Sequence, residues 1–285
     1  MTDIRVATAD DPLDEIAASA LTLDTAEAPA LVARLRTPPE GRAWTALVTT
    51  GAGAGGITGV VFASLSVSDP ATGHIDLLAV SPSAQGHGHG RALTRAAEDW
   101  LRAHGATQAR FAGNPPCYAW PGIDVRATPA ACLAESLGYE RYHVAWNMTA
   151  DLTGDLSAPA PEGVTIHATV RGERDQVVAF VREHWGDNWA WEAENATTCH
   201  HAARDDEILG FAAWGGRPGW FGPMGTAPAA RGLGVGGVLL RRCLAARRAT
   251  GQTTAQISWV GPIRFYSRAI GARAERVFWQ YRRDL

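Results

Sequence analysis

Hydrophobic and polar positions in the first half of the chain alternate over short stretches. Glycine, proline and small polar residues bound these stretches, the pattern of strands buried on one or both faces. Strands are expected at IRVATA, WTALVTT, ITGVVFASLSV, HIDLLAV, ARFAG and YHVAWNMTA. The glycine-rich GAGAGG between the second and third of these reads as a hairpin turn. The period changes in GRALTRAAEDWLRAHG, where Leu93, Ala96, Ala97, Trp100 and Leu101 share one helical face and Gly105 supplies the stop. Further helical segments are expected over 12–36 and near 129–137.

The second half repeats this order through VTIHATV, EILGFAAW, WFGPMGT and RVFWQYRR. The repeat is sharpest where PSAQGHGHG (82–90) meets its counterpart PAARGLGVG (228–236). GGVLLRRCLAARRATG follows the second block as a helix with Leu239, Leu240, Cys243 and Leu244 on one face, and it ends at Gly251. Later anchors pair Gly138 with Gly271, Val144 with Val277 and Trp146 with Trp279 at a shorter separation. The first half therefore carries extra residues, and NPPCYAWPGIDVRAT (114–128) is the candidate insertion. Two copies of one α/β fold are expected, each a central mixed β-sheet flanked by helices. The expected bounds are 1–150 and 164–285, joined by the proline- and glycine-containing linker 151–163.

A length of 285 residues suits two domains, and 46% hydrophobic with 19% charged residues suits packed cores. A net charge of −3 gives no electrostatic case for nucleic acid or an anionic membrane as partner. Cys117, Cys132, Cys199 and Cys243 are scattered without metal-site spacing, as expected of reduced thiols. The start MTDIRVATADDP lacks a basic stretch followed by an apolar one, and no apolar run reaches the ~18 residues of a membrane span. A cytoplasmic location is the expectation.

QGHGHG can be read as a metal-binding tract, a phosphate cradle or a plain turn. No carboxylate or cysteine cluster completes a metal site around His87 and His89, and the other copy has Leu233 and Val235 there, so no metal is expected. Neither block ends in the GK[ST] of a Walker loop. GLGVGG matches a dinucleotide fingerprint only literally, because it follows a fourth strand and lacks the later acidic residue.

The fuller pattern is an apolar strand, then P-x-x-[QR]-G-x-G-x-G, then an amphipathic helix. It resembles the acyl-CoA-binding signature of the GCN5-related N-acetyltransferase (GNAT) family, and the resemblance covers both halves. The tandem arrangement is similar to that of mycothiol synthase and several antibiotic-modifying enzymes. Glycines allow successive N–H groups to face a pyrophosphate at a helix N-terminus. The resemblance implies acetyl-CoA as cosubstrate, held by Gln85, Gly86, His87, Gly88, His89, Gly90 and Arg91 in the first copy. Arg231, Gly232, Leu233, Gly234, Val235, Gly236 and Gly237 match them in the second. It also implies a coenzyme cleft between the fourth and fifth strands, beside Leu78 and Val80 or Met224, Gly225 and Thr226, with a strand N–H polarising the thioester. Asn114 falls where the family places a pantetheine contact.

The resemblance further implies a tyrosine that protonates the departing thiolate, and Tyr266 in IRFYSRAIGA is the residue expected to do so, one position away from the usual family spacing. The first half has Leu133 and Ala134 at the matching sites. The C-terminal half is therefore expected to be the catalytic one, and the first half to hold coenzyme at most. REHWGDNWAWEAEN offers Trp185, Trp189 and Trp191 as walls of an acceptor pocket, with the carboxylates of Asp187, Glu192 and Glu194 to attract an amine, and these three with His184 as candidates for the general base. A packed aromatic corner explains the same residues equally well, and no general base stands out: Asp76 has Gly222 as its counterpart. The expected activity is direct acetyl transfer to a small-molecule amine. A non-catalytic acyl-CoA sensor is the alternative of another class.

Overall fold

The computed structural model describes residues 3–51, 56–217 and 219–285. Its elements group into two units, Met1–Ala145 with Val277–Leu285, and Trp146–Arg276. This division differs from the repeat bounds 1–150 and 164–285 in where the last strand of each repeat is counted.

In chain order the first repeat comprises β1 (Asp3–Val6), α1 (Leu13–Ala20), α2 (Ala28–Arg36), β2 (Trp44–Thr50), β3 (Ile57–Leu65) and β4 (Thr72–Val80). It continues with α3 (His89–Ala103), β5 (Gln108–Phe111), β6 (Ile123–Asp124), α4 (Thr128–Ser136) and β7 (Glu140–Asp151). The second comprises β8 (Thr165–Ala168), α5 (Arg174–Trp185), α6 (Asp187–Glu194), β9 (Thr198–Arg204), β10 (Glu207–Trp214) and β11 (Trp220–Thr226). It closes with α7 (Val235–Arg248), β12 (Thr254–Ile257), α8 (Ile263–Ile270) and β13 (Arg273–Asp284).

Unit 1 orders its strands β1-β2-β3-β4-β5, followed by the end of β13, whose Tyr281–Asp284 pair antiparallel with Phe111–Gln108. Unit 2 orders them β8-β9-β10-β11-β12, followed by the end of β7, whose Met148–Asp151 pair with Ile257–Thr254. β4–β5 and β11–β12 are parallel while the other pairings in these two orders, among the described residues, are antiparallel, so each sheet is mixed. β2 and β3 pair antiparallel up to Thr50 and Ile57; the tip of the GAGAGG hairpin, 52–55, lies outside the described residues.

α3 packs on its sheet through Leu93, Ala97 and Leu101, all fully buried, and α7 does so through Val235, Leu239, Cys243 and Leu244. Two glycines sharpen this contact. A Cβ on Gly59 would stand 3.0 Å from Leu93, and one on Gly210 would stand 3.2 Å from Leu239. Both glycines sit opposite the end of the fourth strand, pairing with Val80 and Thr226, and let the helix close on the sheet. Glu98 is a polar anchor on the buried face of α3; it accepts from Tyr139 Oη at 2.9 Å and from Arg283 at 3.1 Å. Among the described residues no helix is long and apolar enough to cross a membrane.

Candidate active site

The two glycine blocks fold alike. A single 3₁₀ turn, Pro82–Ala84 or Pro228–Ala230, leads to an extended residue, Gln85 (φ −66°, ψ 155°) or Arg231 (φ −67°, ψ 143°). Left-handed glycines follow: Gly86 (φ 77°) and Gly88 (φ 86°) in one unit, Gly232 (φ 84°) and Gly234 (φ 81°) in the other. Gly88 and Gly234 are the N-caps of α3 and α7. No Cβ-bearing residue adopts these angles without strain, which is why glycine alternates here. Among the described residues, the backbone N–H groups of Gly86–Arg91 and Gly232–Gly237 have no acceptor. A run of free donors at a helix N-terminus is a ready anion site.

Gln85 donates to Val80 O at 3.0 Å, bracing the loop on β4. His87 is exposed, whereas His89 turns inward to Thr49 Oγ1 at 3.1 Å, as Val235 turns into the second core. Leu233 remains 41% exposed. Arg91 donates to Ser136 Oγ at 2.8 Å and lines a 290 Å³ cavity with Arg95, Glu98 and Arg102. Gly237, its counterpart, has no side chain to do so.

Each loop opens beside a split in its sheet. β4 pairs with β5 from Thr72 to His74 and then runs on to Val80 paired with β3 alone. β11 pairs with β12 only at Trp220 and Phe221 and runs on to Thr226. Both fourth strands carry a bulge just inside the split. In β4 the extra residue is Asp76, between Leu77↔Phe62 and Ile75↔Ala63; in β11 the irregularity falls at Gly222 and Pro223. Bulges re-aim the strand and end its pairing. Leu78 and Val80, and likewise Met224, Gly225 and Thr226, are half-buried along the open edges.

In unit 2 the space above the loop is closed by α8. Phe265 approaches the Cβ position of Gly236 to 3.7 Å, and Thr226 Oγ1 approaches it to 3.1 Å. Tyr266 lies one position deeper, 8% exposed, with Phe265 at 5.0 Å and Phe221 at 6.5 Å between ring centroids. Burial pushes its hydroxyl up to about 12, and among the described residues that hydroxyl has no hydrogen-bond partner. Ser267, at the usual family spacing, is exposed. On the other side of the strand, a Cβ at Gly225 would collide with the Trp185 ring. At the end of β12, Trp259 is held at φ 43° while its N–H donates to the buried Asn147 Oδ1 at 2.9 Å. Non-glycine residues in that region cost about 1–2 kcal/mol and concentrate at functional sites.

The remaining acceptor candidates divide. Trp185 and Trp189 stack at 5.7 Å and both rest on Phe211, so they pack inward at the edge of the split. Trp191 and Glu192 are half-buried on α6. Asp187 is exposed and accepts from Arg182 Nε at 3.0 Å; His184 is exposed with Nδ1 3.1 Å from Phe180 O, and Glu194 is exposed.

Unit 1 has a different chemistry in its split. Asp76 Oδ2 accepts from Ser64 Oγ at 2.7 Å, while Oδ1 is sealed from solvent and unpartnered. Asn114 is buried and donates to that same Ser64 Oγ at 2.8 Å and to Leu65 O at 3.1 Å, so its amide is committed to this network. Arg42, also buried, donates to the carbonyls of Asn114, Pro115 and Cys117 and leaves its Nε unpartnered. Burial pushes the Asp76 carboxyl up to about 7, against the pull of Ser64 and Arg42.

This shift sets a pH signature. An unfolded carboxyl titrates near ~3.9, whereas folded Asp76 keeps its proton to about 7. Its stabilising proton is fully bound below ~4, and stability falls as the pH rises through the folded value. Replacing it by Asp76→Asn removes that loss. The difference in Tm, variant minus parent, is expected to grow from about pH 5 to about pH 8 by an amount worth a few kcal/mol at most. Thermal melts across this range check it; parallel curves would show that Asp76 is already ionised.

An anion-cradling loop beside a split mixed sheet, built twice in one chain, defines a two-unit acyltransferase fold. The sequence matches the acetyltransferase (GNAT) family over residues 12–118 and 166–271, and the chain belongs to that family. A mycothiol acetyltransferase of Salinispora arenicola is 37% identical over 115 residues, covering 40% of this chain and 33% of that protein. One of Streptomyces scabiei is 33% identical over 183 residues, covering 61% and 48%. The matches thus span less than half the length of these curated relatives. Among solved structures, a tandem GNAT protein from the clavulanic acid biosynthesis pathway superposes with TM-score 0.75 at 19% identity, over 100% of this chain and 98% of that one. A fungal GCN5-related glucosamine N-acetyltransferase region gives 0.76 at 19% identity, over 99% of this chain and 38% of that one. At such identity these likenesses speak for the fold.

Proposed function

We propose that the protein is an acetyl-CoA-dependent N-acetyltransferase that passes an acetyl group directly to the amine of a small molecule, with the chemistry in unit 2. The observation that carries this reading is the open edge of β11 beyond Phe221, with the free N–H run of Gly232–Gly237 at one end and Tyr266 facing Phe221 behind it. Pyrophosphate would lie on the loop, pantetheine along the open edge, and the thioester carbonyl against a β11 N–H. Tyr266, which stays protonated at neutral pH, would return a proton to the leaving thiolate. Trp185, against Gly225, would border the acceptor. No cysteine adjoins either loop, so no acyl-enzyme step is invoked.

Thiol release from acetyl-CoA over a panel of amino sugars, amino acids and aminoglycosides tests this. Turnover with at least one amine, stoichiometric with its N-acetylated product, is expected. Tight coenzyme binding without turnover of any amine would instead support an acyl-CoA sensor. The curated relatives' names favour an acceptor of the mycothiol acetyltransferase type.

A second reading rests on Asp76. A buried carboxyl that titrates near neutrality beside a split suits a general base, and would place chemistry in unit 1. In that case kcat/KM would fall below about pH 7, and Asp76→Asn would abolish both the inflection and the activity.

A further inference from the structure

Away from both splits, three metal-binding side chains meet on the edge of the unit 2 sheet. His167 on β8 and His201 on β9 are direct cross-strand partners, so their side chains share one face; their rings stand 4.5 Å apart. Glu173 reaches back over them from the 3₁₀ turn just before α5. That turn is closed on itself: the Glu173 N–H donates to Val170 O, and the Val170 N–H donates to Glu173 Oε2 at 2.9 Å. Oε1 is thereby left facing His167 Nε2, also at 2.9 Å. Thr169 Oγ1 lies 3.0 Å from His201 Nδ1, which leaves Nε2 of that ring as its free ligand atom. One donor atom from each of the three residues falls within 4.8 Å of the others.

We propose that His167, Glu173 and His201 form a binding site for one divalent transition-metal ion, with Zn²⁺ as the ion of reference. The donor set, two imidazoles and one carboxylate, is that of zinc and its neighbours rather than of calcium or magnesium. Zinc holds such atoms at about 2.0–2.2 Å, which sets them roughly 3.4 Å apart in a tetrahedron. The spacing between His167 Nε2 and Glu173 Oε1 is 2.9 Å and the others are no more than 4.8 Å, within reach of that value by side-chain torsion. Closing the widest of them takes torsion of His167, which is exposed, and of Glu173, which is half-buried, while buried His201 stays fixed. The outer contacts that a metal site requires are already present, with Thr169 on one imidazole and the Val170 N–H on the carboxylate.

The position argues for a structural clip. β8 is three strands from β11, roughly 14 Å at ordinary strand spacing, so the ion would not touch the reacting atoms. It would fasten the edge strand to β9 and to the turn that starts α5, whose far end carries Trp185. Such a clip also blunts an otherwise open sheet edge.

Equilibrium dialysis of the tag-free, reduced full chain against micromolar Zn²⁺, with Co²⁺ absorption as a second probe, tests the site. About one ion per chain is expected, with a Tm raised by a few degrees and Co²⁺ bands free of thiolate charge transfer. His167→Ala and Glu173→Gln, both at positions outside the core, should each weaken binding at least ~10-fold while leaving the metal-free Tm nearly unchanged. The double variant His87→Ala/His89→Ala and Cys132→Ser should bind as the parent does. Absence of stoichiometric binding overturns the proposal. So does binding that survives His167→Ala and Glu173→Gln, or binding that is lost with His87 and His89 or with Cys132.

Discussion

Gly234→Val is expected to remove acetyl-CoA from unit 2 and with it the turnover of the protein. Gly88→Val, the same change in the other loop, is expected to leave turnover nearly intact. The reasoning is local. A Cβ at either position meets nothing within 4 Å, so the folded chain has room for the new side chain. The cost comes from the backbone, since φ of 81° or 86° is strained for a β-branched residue by about 1–2 kcal/mol or more. The loop then relaxes away from the left-handed turn that aims Gly232–Gly237 N–H groups outward, and the valine methyls stand where phosphate oxygens would lie. A cradle that loses two or three charge-assisted hydrogen bonds at ~1.5–3 kcal/mol each weakens by at least ~100-fold.

Calorimetric titration separates the two loops. Parent protein with both loops competent would bind two coenzymes, and each variant one. Loss of turnover with Gly88→Val and not with Gly234→Val would move the chemistry to unit 1 and to Asp76. Two intact cradles with one active loop would identify unit 1 as a binding module, consistent with Leu133 where unit 2 has Tyr266.

Much of this geometry was legible in the chain because it depends on local rules applied twice. The apolar run WTALVTT, and the repetition of the first half in EILGFAAW and WFGPMGT, placed β2, β10 and β11 at the observed limits. The paired glycine blocks announced two helix N-termini because only glycine suits the φ values at 86, 88, 232 and 234. What escaped depends on partners distant in sequence. β9, TCHHAAR, is buried on both faces like β2 and β10, but its buried Cys199, His200 and His201 are not the aliphatic residues that mark such a strand. YHVAWNMTA and RVFWQYRR carry matching patterns, so nothing local tells that the end of β7 pairs with β12 and the end of β13 with β5. Asp76 reads as one polar residue in an apolar strand. Its raised titration follows from burial, against the pull of Ser64 and Arg42, in a pocket that also gathers Asn114 and the carbonyls of 114–117 from the insertion. Asn147 likewise gains its place only by holding the backbone of Trp259.

Tyr266→Phe is the sharpest probe of the chemical step, because the structure separates the hydroxyl from the ring. The ring is buried among Phe221 and Phe265, and phenylalanine preserves those contacts. The hydroxyl has no partner among the described residues, so removing it strands no polar group and should leave the Tm unchanged or slightly higher. Coenzyme affinity resides in the loop and the open strand edge, so the acetyl-CoA Kd should stay within about twofold. Turnover should fall by ~10²-fold or more, the usual worth of a positioned proton donor. The same burial that pushes the phenol up to about 12 argues for donor rather than base, since the group is fully protonated at any neutral pH. A free thiol titrates near ~8.5, which would make the transfer uphill in water. A thiolate released into the same dry space is raised by the same loss of hydration, which brings donor and acceptor back toward balance. The pH profile of kcat should therefore show no inflection assignable to Tyr266 in the neutral range, in parent or variant. An unchanged kcat with Tyr266→Phe would reduce this tyrosine to a packing residue of α8 and leave protonation of the thiolate to solvent at the mouth of the split.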